Sequence, residues 1–316
     1  MRRHASRSAL LAVLALGVIL ALACNAPRAP LDRFMTAPSF DMNAGANHGA
    51  IVFHSTRDGP FHIYAMNADG SDVRQLTNTE ALDFDPLWSP SGQQIEFGRC
   101  CTGALVIMNE DGTGQDTIAE NAGVGPWSPN GKQVAFGRDG DVFVMNVDGS
   151  GVRQLTSDRA LDFPTGWSPN GRQILFQSER DGNRELYVMN VDGSGVTRLT
   201  NDPASDEGDH AGWSPDGKQI VFSSRRTDGN LHIFVMNGDG SDVRQVTPDG
   251  PYDDDDPFWS PDGKQIAFQS TRDGDEDVYV VNTDGTGLTQ LTNNNTLDDG
   301  SPIFDAVPSW RSRPLH

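Results

Sequence analysis

Carboxylates crowd the short stretches that lead into the chain's tryptophans. Asp83 and Asp85 precede Trp88, and Asp162 precedes Trp167. Asp206, Glu207, Asp209 and His210 precede Trp213, and Asp253, Asp254, Asp255 and Asp256 precede Trp259. Asp298, Asp299 and Asp305 precede Trp310. Two carboxylates about 6 Å apart repel by roughly 0.7 kcal/mol in water and about 3 kcal/mol at an effective dielectric of 20. A dozen around one opening needs an offset from counter-ions, protons or a basic partner. One reading, if the strands ending at the tryptophans are innermost, is therefore an acidic funnel at the mouth of a central channel, for a cation or a cationic peptide segment. The other is solvated loop chemistry, since Asp is common in turns. Calcium needs six to eight converging oxygens. Successive side chains of an extended Asp253–Asp256 run diverge, so two or three of them with Asp209 or Asp299 are the most that would meet one ion. His210 is the sole histidine in these stretches, a polar rim group or a ligand.

Other chemistry is thinner. Gly149-Ser150-Gly151 and Gly193-Ser194-Gly195 read as hairpin turns, not as a nucleophile elbow. No two carboxylates stand out as a glycosidase pair. Arg-Asp-Gly recurs at Arg57, Arg138, Arg180 and Arg272, which an Arg–Asp contact in a hairpin loop explains. Cys100-Cys101 replaces that loop once, as a vicinal disulfide or as two thiols bonded otherwise. His54, His62 and His232 lie within or beside strand patterns and read as structural.

The elements that must hold these groups follow from a repeat. All six tryptophans hold one repeat position, 39 to 51 residues apart, and five of them begin Trp-Ser-Pro. That period means a solenoid, a propeller or an array. In the unit from Trp213, Ser214-Pro215-Asp216-Gly217 is a turn and Ile220-Val221-Phe222 a strand. A polar hairpin loop, Arg226 to Asn230, leads to the strand Leu231–Met236. Asn237-Gly238-Asp239-Gly240-Ser241 turns again, into Val243–Thr247. With the strand ending at Trp213, that makes four strands, one propeller blade. The strands are apolar on both faces, as stacked blades require, and no helical pattern separates them.

Six Asn-x-Asp-Gly turns, opened by Asn67, Asn109, Asn146, Asn190, Asn237 and Asn282, imply six four-stranded antiparallel blades. The repeat begins at Ile51 without a Trp strand and ends on Trp310 with nothing after it. Pairing the two closes the ring and removes an exposed edge. The second blade is irregular, with Glu96 interrupting an apolar strand and Gln115-Asp116-Thr117-Ile118 replacing the usual fourth strand. The near-identical turns belong to one rim. The varied loops, acidic stretches included, belong to the other, where binding on a rigid frame usually sits.

Pro257 to Phe268, Ser270 to Gly274 and Val278 to Thr292 carry the pattern most fully, and it resembles the propeller repeats of TolB-type periplasmic proteins. The likeness runs over residues 50 to 311. It implies an all-β, six-bladed propeller and partners among envelope proteins, such as peptidoglycan-associated lipoproteins or secretion components. TolB itself has an α/β domain before its propeller, where this sequence offers only a tether. Some TolB-like propellers belong to hydrolases or lyases with a metal or sugar in the central channel, so an enzyme remains the rival reading.

Composition narrows the rest. The net charge of −20 opposes nucleic-acid binding and adhesion to an anionic membrane. Residues 1–24 read as a signal segment: Arg2, Arg3 and Arg7, then an apolar run from Ala9 to Ala23 too short to span a membrane. Ala21-Leu22-Ala23-Cys24 resembles a bacterial lipobox, with Leu expected where Ala21 stands and a small residue at Leu22. Cys24 is then the lipid attachment, with ordinary cleavage or an uncleaved anchor as alternatives. Asn25 points to the outer membrane, on its periplasmic side. Residues 25–48 form a tether, 49–311 the propeller and 312–316 a tail. The expected function is a noncatalytic envelope scaffold without a cofactor, calcium being the one candidate ion.

Overall fold

The second strand of every repeat carries a buried aliphatic residue, a buried neighbour and a buried Phe. In Ile174-Leu175-Phe176 all three are fully inaccessible. Adjacent strand residues face opposite ways, so such a strand needs cover on both faces. The computed structural model, which describes residues 50–100, 103–293 and 303–311, supplies that cover by stacking six antiparallel sheets face to face. Among the described residues there is no helix.

Blade 1 joins the two ends of the ring. Its order is Asp305–Trp310, Ile51–Ser55, His62–Met66, Arg74–Gln75. Ile51 lies opposite Trp310 and Val52 opposite Ser309, the closure expected from the sequence. Blades 2, 4, 5 and 6 start with Asp83–Trp88, Asp162–Trp167, Asp206–Trp213 and Asp254–Trp259. The Trp strands of blades 4, 5, 6, 1 and 2 touch one another in succession, so they line the axis. Their indoles wedge between blades: Trp88 clusters with Val52 and Ile63 of blade 1 as well as Ile95 and Phe97 of its own.

Two local expectations change. Blade 3 has three strands, because Trp127 makes only a single bridge, to Val134. The segment before Trp127 lies tight against the second strand, where a Cβ on Gly125 would stand 2.1 Å from the Ala135 carbonyl oxygen, and it keeps two backbone bonds there, from the Gly123 amide to the Gly137 carbonyl and from the Ala135 amide to the Pro126 carbonyl. Blade 2 does have a fourth strand, Asp116–Ala119, paired to Ala104–Asn109 through a register shift.

Each paired Trp strand also shifts register about three residues before its tryptophan. Asp85, Asp256 and Val307 sit there with φ of 51°, 51° and 52°. Bulges bend a strand and re-aim its side chains. Here they turn one residue per blade out of the ladder beside the axis.

Candidate functional site

The two rims differ as their sequences do. On one, Asp69 accepts hydrogen bonds from the Ser71 amide and hydroxyl, and Asn67 donates to Ser71. Every Asn-x-Asp-Gly turn repeats this, and those hydrogen bonds hold Asp69, Asp111, Asp148, Asp192, Asp239 and Asp284 below the usual carboxylate range. These acids cap turns.

On the opposite rim most of the acidic lead-in residues are also in use. Asp305, Asp83, Asp162, Asp206 and Asp254 open their Trp strands fully buried. Each meets an arginine from the loop between second and third strands. The pairs are Arg57–Asp305 at 2.6 Å, Arg99–Asp83 at 2.7 Å and Arg180–Asp162 at 2.9 Å. Arg226–Asp206 at 2.7 Å and Arg272–Asp254 at 2.6 Å complete the set. Ser55, Ser178, Ser224 and Ser270 accept the Nε–H of four of these arginines. The guanidinium planes lie about 5 Å above rings such as Phe53, Phe176 and Phe222. Burial still raises the Asp206 carboxyl pKa, with Arg226 and Ser224 opposing it. In blade 3, Ala122 replaces the acid, and Arg138 donates to the carbonyls of Glu120 and Asn121.

The Arg–Asp contact inferred for the Arg-Asp-Gly loops thus runs not within the loop but to the Trp strand of the same blade. The loop's own acid turns elsewhere: Asp58 takes the Tyr64 hydroxyl and Asp181 the Tyr187 hydroxyl. Asp83, Asp162, Asp206 and Asp254 are therefore clamp residues inside the wall, rather than part of a solvent-facing funnel. The four carboxylates of the Asp253–Asp256 run diverge, each to its own partners. Asp253 accepts from Arg225 and the Leu231 amide, Asp254 from Arg272, Asp255 from the Asp256 amide, and Asp256 meets His210.

What remains beside the axis is a smaller cluster. His210 Nδ1 lies 2.8 Å from Asp256 Oδ1, and its ring packs on Phe258. His54 Nδ1 accepts the Asp85 amide at 3.1 Å, with the Asp85 carboxylate 3.8 Å away. Burial pushes His54 down to about 4; Asp256 opposes the shift and His210 adds to it. Neutral His54 keeps Nδ1 as an acceptor. Burial, then the charge of Asp256, raises Glu276. Blades 5, 6, 1 and 2 thus bring His210, Asp256, Glu276, His54 and Asp85 to one arc of the mouth.

The other arc is apolar. Three residues before their tryptophans stand Val124 and Pro164 in blades 3 and 4 and Val307 in blade 1, against Asp85, His210 and Asp256 in blades 2, 5 and 6. Nearby, Leu161 is 48% and Phe163 39% exposed, and Phe163 rests over Gly137. This rim thus carries carboxylates and imidazoles in blades 2, 5 and 6 and exposed aliphatic and aromatic carbon in blade 4.

Glu96, His54 and Glu276 were not among the site residues inferred from sequence. A carboxylate in an apolar strand flagged Glu96: it is fully buried, accepts the Gly125 amide, and is pushed up to about 8 by burial. Nothing in the local pattern marked Glu276. Asp273, Asp275 and Asp277 bring carboxylate oxygens within 4.8 Å of one another, three of the oxygens a calcium ion would need. Cys24, Cys101, Asp298 and Asp299, and the side chain of Asp209, lie outside the described residues.

Two family profiles match: "Tricorn protease N-terminal beta propeller domain" over residues 128–232 and "TolB beta propeller domain" over residues 209–304. A "Protein TolB homolog" of Chlorobium luteolum is 31% identical over 143 residues, 43% of this chain and 33% of that protein. A "Tol-Pal system protein TolB" of Geobacter metallireducens is 45% identical over 47 residues, 15% of this chain and 11% of that protein. The matched segments thus span a third or less of these curated relatives. Among solved structures, TolB from Acinetobacter baumannii superposes with a TM-score of 0.73 at 18% identity, covering 84% of this chain and 67% of that one. A putative TolB from Agrobacterium tumefaciens gives 0.64 at 23%, covering 84% and 99%. At these identities the structural likeness is one of fold.

Proposed function

The chain is a TolB-like β-propeller protein, and we propose that it works as a noncatalytic binding scaffold of the cell envelope. Its site is the two-sided channel mouth, and its partner is a periplasmic envelope protein presenting a segment both basic and apolar. One observation carries this reading. Asp85, Asp256 with His210, and Glu276 share one arc of the mouth, while Phe163, Leu161 and Pro164 form the other. A lysine or arginine set against the charged arc and an aliphatic side chain laid on Phe163 satisfy both. The net charge of −20 steers such a partner toward the propeller. The bulges hold the acids in place beforehand, so less ordering is left to binding.

The name "Tol-Pal system protein TolB" supports an envelope setting, and the partner class proposed is a peptidoglycan-associated-lipoprotein-like protein, with a secretion component as the second choice. Lipidation at Cys24 would keep the propeller at the membrane. The clamp acids are withdrawn from any binding role, which leaves the mouth cluster to be tested. A labelled peptide of alternating lysine and leucine, and a matched glutamate–leucine peptide, are titrated into the protein at low salt. The lysine peptide binds, the glutamate peptide does not, and D85N/D256N weakens binding about tenfold. Binding that is indifferent to D85N/D256N refutes the assignment.

A further inference from the structure

The first residue of each third strand faces the fourth strand and the lead-in loop that follows it. In blades 3, 4 and 6 an acid stands there. Asp141, Glu185 and Asp277 take hydrogen bonds from Thr156, Thr200 and Thr292 at 3.2, 2.6 and 2.6 Å. Blade 5 has His232 instead, fully buried. Its Nε2 lies 3.0 Å from Asp228 Oδ1 and 3.9 Å from Asp249 Oδ1, and its Nδ1 lies 3.8 Å from Asp254 Oδ2. Neither His232 Nδ1 nor Asp254 Oδ2 has a hydrogen-bond partner.

Both ring nitrogens therefore face carboxylate oxygens. A neutral imidazole has one N–H, so one nitrogen would turn its lone pair on an anion. A positive charge must lie on the ring or beside it. The geometry favours a charge beside it. Nε2, Asp228 and Asp249 offer three ligand atoms all within 4.8 Å of one another. The separations from Nε2 bracket about 3.4 Å, the edge of a tetrahedron with zinc–ligand bonds of about 2.1 Å. With a metal on Nε2, the Nδ1–H points at Asp254, which Arg272 and Ser270 hold in place. At 3.8 Å this contact is longer than a hydrogen bond, and a shift of under about 1 Å would make it the carboxylate–histidine–metal relay that orients ligating imidazoles.

The surroundings are built to match. Asp228 accepts the Asn230 and Gly250 amides. Tyr252 stands edge-on to His232, and its hydroxyl donates to the carbonyls of Pro248 and Asp249. A Cβ on Gly250 would fall 2.1 Å from the Tyr252 ring, so any side chain there would push that ring away from His232. Asp249 is the most open of the group, its side chain 59% exposed; its Oδ1 accepts the Gln245 amide at 2.7 Å, a donor an ion would share or displace, and its solvent side leaves a fourth position to water. Blade 1 is an internal control. His62 lies near Asp58 and Asp83, but Thr79 occupies the place of Asp249.

We propose that Asp228, His232 and Asp249 bind a divalent transition-metal cation of the zinc class, clasping the blade 5 hairpin to the blade 6 lead-in loop. An imidazole with two carboxylates suits zinc better than calcium or magnesium, which favour all-oxygen sets. This site is separate from the mouth, so its failure leaves the binding reading untouched. The test uses untagged protein stripped with chelator and titrated with Zn²⁺ against a chromophoric competitor. One equivalent is taken up, millimolar Ca²⁺ does not displace it, and Co²⁺ gives a tetrahedral visible spectrum. H232Q and D249N each weaken uptake at least about tenfold, H62Q leaves it unchanged, and D249N without metal melts like the unsubstituted protein without metal. Absence of stoichiometric uptake, displacement by Ca²⁺, or uptake that survives both substitutions overturns the proposal.

Discussion

Arg180 and Arg138 occupy the same loop position but hold different partners, and that difference sets what each is worth. Arg180 neutralises Asp162, which has no exposure at all. Removing one member of a buried pair costs about 3–5 kcal/mol, because the other charge stays behind without compensation. Arg138 hydrogen-bonds to two carbonyl oxygens and lies over the Phe136 and Phe143 rings, with no carboxylate to neutralise among the described residues. R180A should therefore lower the unfolding free energy by about 3 kcal/mol or more, and R138A by about 1 kcal/mol, both read from denaturant midpoints. Two buried titratable groups give opposite pH trends. Glu96 is pushed up to about 8, so its contribution is whole below its ordinary value of 4.5 and is lost as pH rises toward 8. E96Q should match the parent near pH 4.5 and exceed it by a few kcal/mol above pH 8. His54 is pushed down to about 4 from 6.5, so stability falls as pH drops between those values. H54Q, which can accept the Asp85 amide as Gln269 accepts that of Val307, should flatten that limb.

At the scale of the strand, the Trp segments combine a ladder with a bulge. Their sequence signs were partly legible. The six tryptophans and the turn motifs marked the strands, the rims and the closure of Ile51 on Trp310. The acids were harder to place. Asp162 looks like loop chemistry until Arg180, 18 residues on, folds back over it, and Asp305 meets its arginine 248 residues away. No local pattern shows which acid an arginine will reach, so clamp residues and mouth residues looked alike. The role of His54 was hidden for the same reason, because its partner is an amide in the next blade. Blade 3 tests the account of strand geometry. Gly125 lies against the Ala135 carbonyl, so G125A should cost about 2 kcal/mol or more through overpacking. Calorimetry reads it, and an unchanged melting temperature would mean that the segment has room to spare.

The whole molecule is a closed ring with one uniform rim and one varied rim. Closure lets each blade bury both faces, and the clamps fix the start of five of the six axial segments. That rigidity holds Asp85 and Asp256 at their bulges, on the rim that also exposes Phe163 and Leu161, before any partner arrives. If Cys24 anchors this ring, C24A should move the protein from the membrane fraction to the soluble periplasmic fraction, as fractionation and blotting would register. The binding claim is tested most directly by reversing its charge. In D85K/D256K the mouth should lose the lysine–leucine peptide and gain the glutamate–leucine one, with the ring still folded by circular dichroism. If the double-lysine protein keeps the original peptide preference, the channel mouth is not where this propeller meets its partner.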